Sequence, residues 1–347
     1  MQTPWTGLQC KNEECGRESM SDLKSSLLTD LYAPIADDLC AAQRIFDDEL
    51  QSDLPFVNEW CDRVRSYRGK MLRPALLLLA GKATGQLTKE HHTLAAVVEI
   101  VHMATLVHDD VLDEADERRR LPTICATAGN VAAVLVGDYL ISHAFHLCSS
   151  LDSQYASRRI GAATNEVCEG ELLQNRRSGD DQLSETEYFD IIHRKTGALT
   201  AVCCELGAFA AGADDMIVRS LYDYGMFAGK AFQIVDDILD IVGDRRQVGK
   251  TLGIDLPLGK LTLPTIHCLA HADKSTAVEI QEIVRGEACC TQRRLREWID
   301  ETDSVGYAVS TARDHVLRAI RRLDAVPPGD ARSSLIALAE FIIDRRF

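Results

Sequence analysis

Two short acidic motifs contain the residues of this chain that are best suited to chemistry. Each has the form DDxxD in a strongly apolar segment, and together they supply six aspartates: Asp109, Asp110, Asp113, Asp236, Asp237 and Asp240. If both segments are helical, the first and last aspartate of each motif lie one turn apart and point to the same side. A single acidic patch is most often a solvated helix face, but a second copy in an equally apolar setting argues against that explanation. Two such helices facing each other would bring six carboxylates into one cavity.

Carboxylates gathered in this way need positive charge around them. Two like charges about 5–6 Å apart repel by roughly 3 kcal/mol at an effective dielectric of about 20. Such a cluster is stable only if cations enter it or if some carboxylates stay protonated. Oxygen ligands favour a hard cation, Mg²⁺ or Mn²⁺ in its place, which completes its shell with water and phosphate oxygens. The neighbouring Arg118 and Arg119 would bind phosphate as well, so the motifs predict a metal-bridged diphosphate.

Three stretches, DDVLDEADERR, FQIVDDILD and VGKTLGIDLPLGKLTLP, together resemble the trans-prenyl diphosphate synthases. The resemblance is closest to the long-chain, octaprenyl-type members and extends over nearly the whole chain from about residue 21. It implies that the acidic helices face each other, that the enzyme is a homodimer, and that isopentenyl diphosphate extends an allylic diphosphate with Mg²⁺. All six aspartates would hold metal. Asp109, Asp113 and Asp236, with Lys195 and Lys250, would act on the departing diphosphate.

The resemblance also implies which residues bind the allylic diphosphate. Lys195 and Thr196 match a KT element, Gln233 lies one turn before Asp237, and Arg118 follows the first motif. Two polar residues match a GExxQ element that faces the cavity, Glu171 and Gln174. A lid that closes over the bound phosphate is expected from a GKxxGxD match at Gly249, Lys250, Gly253 and Asp255.

A second pocket, for the homoallylic diphosphate, is expected around residue 70. Gly69 breaks a helix, and Lys70 and Arg73 flank the start of the next one, where a helix N-terminus favours anions. The family carries GGKxxRP here, and the resemblance adds two residues to the pocket, His102 and Arg119. Arg68 replaces the first glycine of the element, where it would either grip phosphate or tighten the loop.

Product length depends on the residues beneath the first motif. Thr105 and Ala104 lie roughly 6–7.5 Å deeper than Asp109 along a helix, at a level where short-chain members of the resembled family carry aromatic residues. This chain has only small side chains there, and a longer tunnel is expected from apolar residues further down: Val101, Met103 and residues 131–140. We predict an all-trans product of about seven to ten isoprene units, with octaprenyl favoured, as a quinone side-chain precursor. A shorter farnesyl or geranylgeranyl product is the alternative.

Composition and periodicity favour a helical protein with a sizeable core. Apolar residues make up 46% of the 347, and no useful strand-like alternation occurs. We therefore predict an all-α fold, a single domain of ten or more helices around a central cavity over residues 21–347. Residues 1–20 lack periodicity and are expected to form a loose extension.

Charge and cysteine usage limit the partners and the compartment. A net charge of −15 argues against a nucleic-acid partner. No run is expected to be long and apolar enough to cross a membrane, so any membrane association would be loose and through the product. Twelve cysteines without regular spacing and the lack of a signal-peptide pattern predict reduced thiols and a cytoplasmic location.

Three other functions would use some of the same residues. A class I terpene cyclase also uses an aspartate motif and Mg²⁺, but it would not need the pocket around Lys70 and Arg73. An HD-type metal phosphohydrolase would use the His108–Asp109 pair and leaves the second motif unexplained. A non-catalytic subunit of a two-component synthase would not need two intact motifs.

Overall fold

The computed structural model describes residues 28–243, 253, 255–289 and 291–344, which are almost entirely helical. After a 3₁₀ turn at Ala33–Ile35, the helices are α1 (Ala36–Glu49), α2 (Pro55–Ser66), α3 (Leu72–Thr84), α4 (Lys89–Leu112), α5 (Ile124–Ser149), α6 (Gln154–Arg177), α7 (Glu185–Ile192), α8 (Ala198–Ala210), α9 (Asp215–Val242), α10 (Leu263–His271), α11 (Lys274–Val284), α12 (Gln292–Glu301), α13 (Ser304–Arg322) and α14 (Asp330–Ile343). A short antiparallel hairpin, β1 (Glu117–Arg118) and β2 (Leu121–Pro122), joins α4 to α5. The predicted all-α class is confirmed. The extension at residues 1–20, Gly249 and Lys250 lie outside the described residues.

Several helices begin at a side chain that caps them. Thr123, Ser153 and Asp214 accept hydrogen bonds from backbone N–H groups in the first turns of α5, α6 and α9. Ser184 and Glu187 form a reciprocal capping box at the start of α7. These side chains satisfy N–H groups that have no partner within the helix, so the local sequence determines where the elements begin.

The helices that carry the site are held by a closely packed base. Helix α8 packs against α3 and α9, α13 packs on α9, and α4 packs on α5. Two glycines permit the close approach of α8 to its neighbours. A Cβ at Gly207 would lie 2.1 Å from the Leu77 carbonyl oxygen, and one at Gly225 would lie 2.6 Å from that of Thr200. Because a closely packed protein interior has low compressibility, α3, α8 and α9 form a rigid support.

Helix α5 differs from its neighbours because much of its apolar surface is exposed. It is kinked at Gly129 (φ 81°, ψ 166°). Beyond the kink, Val131 and Leu135 are 76% and 62% exposed. Among the described residues α5 is the one helix that is long and apolar enough to cross a membrane by length and composition alone, and 28% of its most apolar stretch is buried. The expectation that no such run exists is wrong by this criterion. The single charge of Asp138 does not lower the mean hydropathy of this segment enough to exclude it.

We predict that Gly207→Ala destabilises the fold. Its methyl group would collide with the backbone of α3, and overpacking of this kind costs about 1–3 kcal/mol of the free energy of unfolding. Thermal and denaturant unfolding followed by circular dichroism measure the change. Gly329→Ala is the control, since a Cβ there meets nothing within 4 Å. Equal stability of the two variants would contradict the packing argument.

Candidate active site

Both acidic motifs line one large cavity. Its volume is about 1470 Å³, and residues of α3, α4, α6, α7, α9, α14 and the hairpin form its walls. All six motif aspartates are among the lining residues. The two acidic helices therefore do share one cavity, as the resemblance implied.

The aspartates of the first motif have three different surroundings. Burial raises the pKa of Asp109 to about 6, although the Lys195 ammonium opposes the shift. Asp110 is 2% exposed and accepts a hydrogen bond from Arg118 Nε at 2.8 Å, while its Oδ2 is buried without a partner. Asp113 caps the end of α4 and accepts from Lys260 Nζ at 2.5 Å. Arg118, predicted as a phosphate ligand, is thus engaged by Asp110.

The second motif is divided in a similar way. Asp237 accepts hydrogen bonds from the Tyr188 hydroxyl at 2.7 Å and from Gln233 Nε2 at 2.8 Å, and burial raises its pKa to about 8. Asp240 accepts from the backbone N–H groups of Gly253 and Asp255 at 3.1 and 3.3 Å. Asp236 lines the cavity. One carboxylate of this motif thus binds the backbone at Gly253 and Asp255, the described residues of the predicted lid.

The donor set suits a hard divalent cation. Raised pKa values at Asp109 and Asp237 mark carboxylates that are too crowded or too buried to ionise freely, and a cation would relieve both. Within the described ranges, no three acidic, histidine or cysteine side chains already converge on a single point. Each ion would therefore take one or two carboxylates and fill its shell with phosphate and water oxygens, which is the usual coordination of Mg²⁺.

A π-helical turn at His193–Gly197 presents the KT element to the cavity. Such turns within helices are frequent at functional sites. Lys195 Nζ contacts Glu171 Oε2 at 2.5 Å and Gln174 Oε1 at 2.8 Å. Burial lowers the pKa of Lys195, but the carboxylates of Asp109 and Glu171 outweigh it, so the pKa is raised and the ammonium stays charged. Both residues of the GExxQ element therefore hold the lysine beside the first motif.

Thr196 joins the same site to the second motif. Its hydroxyl donates to Gln233 Oε1 at 2.7 Å, and Gln233 donates in turn to Asp237. The chain of hydrogen bonds fixes the orientation of the Gln233 amide. It links the predicted allylic pocket to α9 without any charged group in between.

The four residues predicted for the second pocket also line this cavity: Lys70, Arg73, His102 and Arg119. Burial lowers the pKa of Arg73, and its Nε has no hydrogen-bond partner. Burial and then Arg73 lower the pKa of His102 well below its usual value, so its imidazole is neutral. Lys70 is exposed, and its Nζ lies 5.4 Å from the centre of the Phe341 ring. We call these four residues, three of which are basic, the cationic wall, and the two aspartate triads the acidic wall.

Arg119 reaches the pocket from the tip of the hairpin. The two turn residues Arg119 and Arg120 have φ values of 52° and 64°, the left-handed conformation that tight two-residue hairpin turns require. Non-glycine residues adopt it at a cost that is commonly met at functional sites. The Arg119 guanidinium packs against Gly69, where a Cβ would lie 2.0 Å from Nη2. The glycine is needed at this position to make room for the arginine.

Arg68 tightens the loop and does not line the cavity. Its guanidinium pairs with Asp47 of α1 and lies 4.4 Å from the centre of the Phe46 ring. The Tyr32 hydroxyl donates to the Lys70 carbonyl at 2.9 Å. Of the two roles left open by the sequence, the structure favours the one in which Arg68 fixes the loop from behind.

The predicted product tunnel is wrong in part. Ala104 and Val101 are fully buried in the hydrophobic core and do not line the cavity. No residue of the segment 131–140 lines it either, because α5 turns part of its apolar surface to the outside. Met103 and Thr105 do line the cavity. A one-residue difference in position on α4 is a rotation of about 100°, which separates Ala104 from Thr105.

Among the lining residues that were not singled out from the sequence, two have side chains suited to chemistry, Glu99 and Tyr188. Glu99 is a lone carboxylate in the apolar run AAVVEIVHM, three residues before His102. That signal was available, because residues three apart on a helix share a face. Tyr188 had no comparable signal, since its role depends on Asp237 of a distant helix.

Comparison with known proteins identifies the family. The sequence matches the Polyprenyl synthetase family over residues 55–301. It is 35% identical over 306 residues to an octaprenyl diphosphate synthase of Haemophilus influenzae, covering 86% of this chain and 91% of the relative. It is 34% identical to heptaprenyl diphosphate synthase component 2 of Bacillus subtilis, covering 91% and 90%. The chain belongs to the polyprenyl synthetase family. This synthetase is therefore a prenyltransferase of isoprenoid diphosphates.

Solved structures agree with the sequence comparison. A polyprenyl synthase from Caulobacter crescentus, crystallised with calcium and isoprenyl diphosphate, superimposes with a TM-score of 0.89 at 34% identity, covering 92% of this chain and 98% of that one. A decaprenyl diphosphate synthase from Rhodobacter capsulatus superimposes with a TM-score of 0.87 at 31% identity, covering 92% and 99%. The helical fold of the synthetase is thus that of the polyprenyl synthases, and the terpene cyclase and the phosphohydrolase lose their support.

We predict that Gly69→Ala impairs the second pocket and leaves the fold intact. The added methyl group would displace only the flexible end of Arg119, and loss of a charge-assisted contact costs roughly 1.5–3 kcal/mol. The KM for isopentenyl diphosphate should therefore rise about tenfold or more, as measured by steady-state kinetics at saturating allylic substrate. Gly161→Ala, where the nearest neighbour of the Cβ is at 4.0 Å, should behave as the wild type. An unchanged KM in both variants would show that Arg119 does not bind this substrate.

Proposed function

We propose that the protein is a long-chain all-trans polyprenyl diphosphate synthase that adds isopentenyl diphosphate to an allylic diphosphate with Mg²⁺. One observation carries the proposal: a single cavity is lined both by the two acidic triads and by the basic residues Lys70, Arg73 and Arg119. The acidic wall suits a diphosphate that arrives with metal, and the cationic wall suits one that arrives without it. Two diphosphates in one cavity are the requirement of a condensation between two such substrates.

The residues of the acidic wall would act on the allylic substrate. Its diphosphate must leave carbon and take the bonding electron pair, which generates an allylic cation. Mg²⁺ held by the triads, when bound, supplies positive charge that offsets the charge of the departing group. Lys195, fixed by Glu171 and Gln174, adds an ammonium donor at the same place.

The residues of the cationic wall would hold isopentenyl diphosphate with its double bond toward the cation. Attack of the double bond forms the new carbon–carbon bond and moves the charge onto the second substrate. Loss of a proton then restores a double bond. We assign the proton to the released pyrophosphate, because burial and the neighbouring arginines oppose protonation of His102, the imidazole in that wall. Water must be kept from the cation until then. We assign this role to the predicted lid, whose residues Gly253 and Asp255 donate to Asp240.

Removal of the metal or of one triad carboxylate is the first test. Asp109→Ala and Asp236→Ala should each lower turnover at least about a hundredfold, as expected when a group that stabilises transition-state charge is lost. Excess chelator should do the same to the wild type. Asp215→Ala removes an exposed carboxylate from the other end of α9 and should have no effect. Labelled isopentenyl diphosphate, an allylic primer and chromatography of the products provide the assay, and full activity in chelator would contradict the proposal.

Product length is proposed from the cavity wall below the first motif. Thr105 lies in that wall, half-buried, with its hydroxyl donated to the His102 carbonyl at 2.8 Å. No aromatic ring blocks the cavity at this level on α4. The relatives include octaprenyl, heptaprenyl and nonaprenyl synthases, and within this range we favour octaprenyl diphosphate, as a precursor of a quinone side chain.

A ring at position 105 should shorten the product. Thr105→Phe would place a floor roughly 6 Å below Asp109, and we expect about three or four isoprene units with little change in the rate of the first condensation. Thr105→Val keeps the size of the side chain and should leave the distribution unchanged. A wild type that already stops at three or four units would overturn the long-chain assignment, and a full-length product from Thr105→Phe would overturn the assignment of the floor.

We further propose a homodimer that uses the exposed apolar side of α5. Val131, Val134 and Leu135 are exposed on one helix, and clustered exposed apolar residues mark interaction sites. Light scattering should give twice the monomer mass of 38.4 kDa. Leu135→Glu should yield monomer, whereas Met216→Glu, which changes a residue that is 68% exposed elsewhere, should not. A monomeric wild type would contradict this interface.

The name of one relative suggests a second arrangement. The Bacillus subtilis protein is component 2 of a heptaprenyl diphosphate synthase, so this chain could be one part of a larger enzyme. No turnover by the purified chain, restored by another subunit, would favour that arrangement. The cytoplasmic location and loose membrane association through the product stay predictions.

A further inference from the structure

The basic residues of the cationic wall come from two separate segments, and a buried tyrosine joins these segments. Lys70 and Arg73 belong to the loop after α2 and the start of α3, whereas Arg119 lies at the tip of the hairpin. Tyr67, the C-cap residue of α2, is fully buried and donates its hydroxyl to the Pro122 carbonyl in β2 at 2.8 Å. Tyr67 does not line the cavity, and the proposed reaction gives its hydroxyl no role.

The Pro122 carbonyl receives a second donor from the same helix. Arg63 Nη1, in the last turn of α2, donates to it at 3.0 Å. A backbone carbonyl has two lone pairs, and two donors from the end of α2 therefore satisfy this one. Pro122 pairs with Glu117 across the hairpin and follows Arg119 by three residues. The base of the hairpin is thus fixed to α2 at a single backbone atom.

The tip of the hairpin contacts the segment that follows Tyr67. Gly69, two residues further along the chain, packs against the Arg119 guanidinium, so closely that a Cβ there would lie 2.0 Å from Nη2. Arg119 and Arg120 form a two-residue turn with φ values of 52° and 64°. A turn this tight fixes the register and the direction of the strands that it joins. The position of the β2 backbone therefore determines where the Arg119 side chain starts.

We propose that Tyr67 is a positioning residue, which holds the hairpin so that the Arg119 guanidinium faces the diphosphate that binds without metal. Burial raises the pKa of Tyr67 to about 12, so its hydroxyl keeps its proton and remains a donor at neutral pH. Arg118 ties the hairpin to α4 through Asp110, whereas Tyr67 ties it to the segment that continues into Lys70. The two halves of the pocket therefore keep a fixed separation. That this diphosphate is isopentenyl diphosphate rests on the proposed function.

A second buried tyrosine provides a matched control. Tyr224 is also fully buried and donates its hydroxyl to a distant backbone carbonyl, that of Leu335, at 2.6 Å. It does not line the cavity. Tyr67→Phe and Tyr224→Phe each remove one buried hydroxyl and keep the ring. Both lose a hydrogen bond of the fold, and only Tyr67→Phe releases the hairpin.

The test compares these two variants with the wild type. Calorimetry with inorganic pyrophosphate in excess chelator isolates the metal-independent pocket. We expect Tyr67→Phe to bind pyrophosphate about threefold to tenfold more weakly than the wild type, the effect of one lost neutral hydrogen bond. The KM for isopentenyl diphosphate should rise by a similar factor, with kcat and the allylic KM unchanged. Tyr224→Phe should lower the melting temperature and change neither pyrophosphate binding nor either KM.

A double variant shows whether the effect of Tyr67 passes through Arg119. Residues that act through one shared contact have non-additive effects. Once Arg119→Gln has removed the guanidinium, Tyr67→Phe should cause no further loss of pyrophosphate binding. An equal loss in the wild-type and Arg119→Gln backgrounds would overturn the assignment.

Other outcomes would also overturn it. Unchanged pyrophosphate binding and unchanged KM in Tyr67→Phe would show that the hairpin holds Arg119 without this bond, and parallel changes in kcat and both KM values would indicate a general structural role. If Tyr67→Phe loses its helical circular dichroism, Arg63→Met decides, because it removes the other donor to the Pro122 carbonyl from a half-buried side chain. Weaker binding that disappears in the Arg119→Gln background supports positioning, and unchanged binding refutes it.

The proposed function can fail separately from this inference. A wild type that binds pyrophosphate but makes no elongated product would refute the proposed function, and the binding comparison would still decide the role of Tyr67. If wild-type pyrophosphate binding is too weak for calorimetry, the comparison of KM values for isopentenyl diphosphate decides it.

Discussion

Mutual repulsion among the six triad carboxylates is the constraint on which the rest of the site depends. The chain meets it in three ways. Arg118 and Lys260 neutralise Asp110 and Asp113 directly, Tyr188 and Gln233 stabilise Asp237 by hydrogen bonds, and the backbone of the lid segment satisfies Asp240. Asp109 remains the most weakly compensated member of its motif, with a raised pKa that Lys195 only partly offsets. The carboxylates whose negative charge is least compensated by the protein are those that a metal ion bound with diphosphate would stabilise most.

The same DDxxD sequence therefore specifies two different local structures. In the first motif the middle carboxylate is held by an arginine of the hairpin, and in the second it is held by neutral donors from α7 and α9. Neutral donors leave the charge of Asp237 uncompensated, which is consistent with its raised pKa. The corresponding aspartates of the two motifs thus differ in their electrostatic surroundings. A substitution at Asp110 would leave the Arg118 guanidinium without this partner, whereas one at Asp237 would release only neutral donors.

The sequence predicted the helices from local patterns, whereas the shared cavity was expected from the two acidic motifs together with the family resemblance. Apolar periodicity, capping residues and two copies of one acidic motif are readable without tertiary structure. The failures have a different origin. Whether Ala104 or Thr105 faces the cavity depends on the rotation of α4 about its axis, and the exposure of Val131 depends on where α5 lies. The two possible roles of Arg68 could be separated only by the position of Asp47 on another helix. Properties set by contacts between distant elements were the ones that the sequence left open.

The cationic wall is completed by opposite ends of the described chain. Tyr32, ahead of α1, binds the backbone of Lys70, and Phe341 in α14 packs against its ammonium group. A polypeptide emerging from the ribosome forms its early helices long before α14 is available. The acidic wall, made largely by α4 and α9, can assemble first, whereas this pocket lacks one side until the last helix docks. The surroundings of Lys70 therefore depend on a contact between the first and the last described parts of the chain, whereas those of the triads do not.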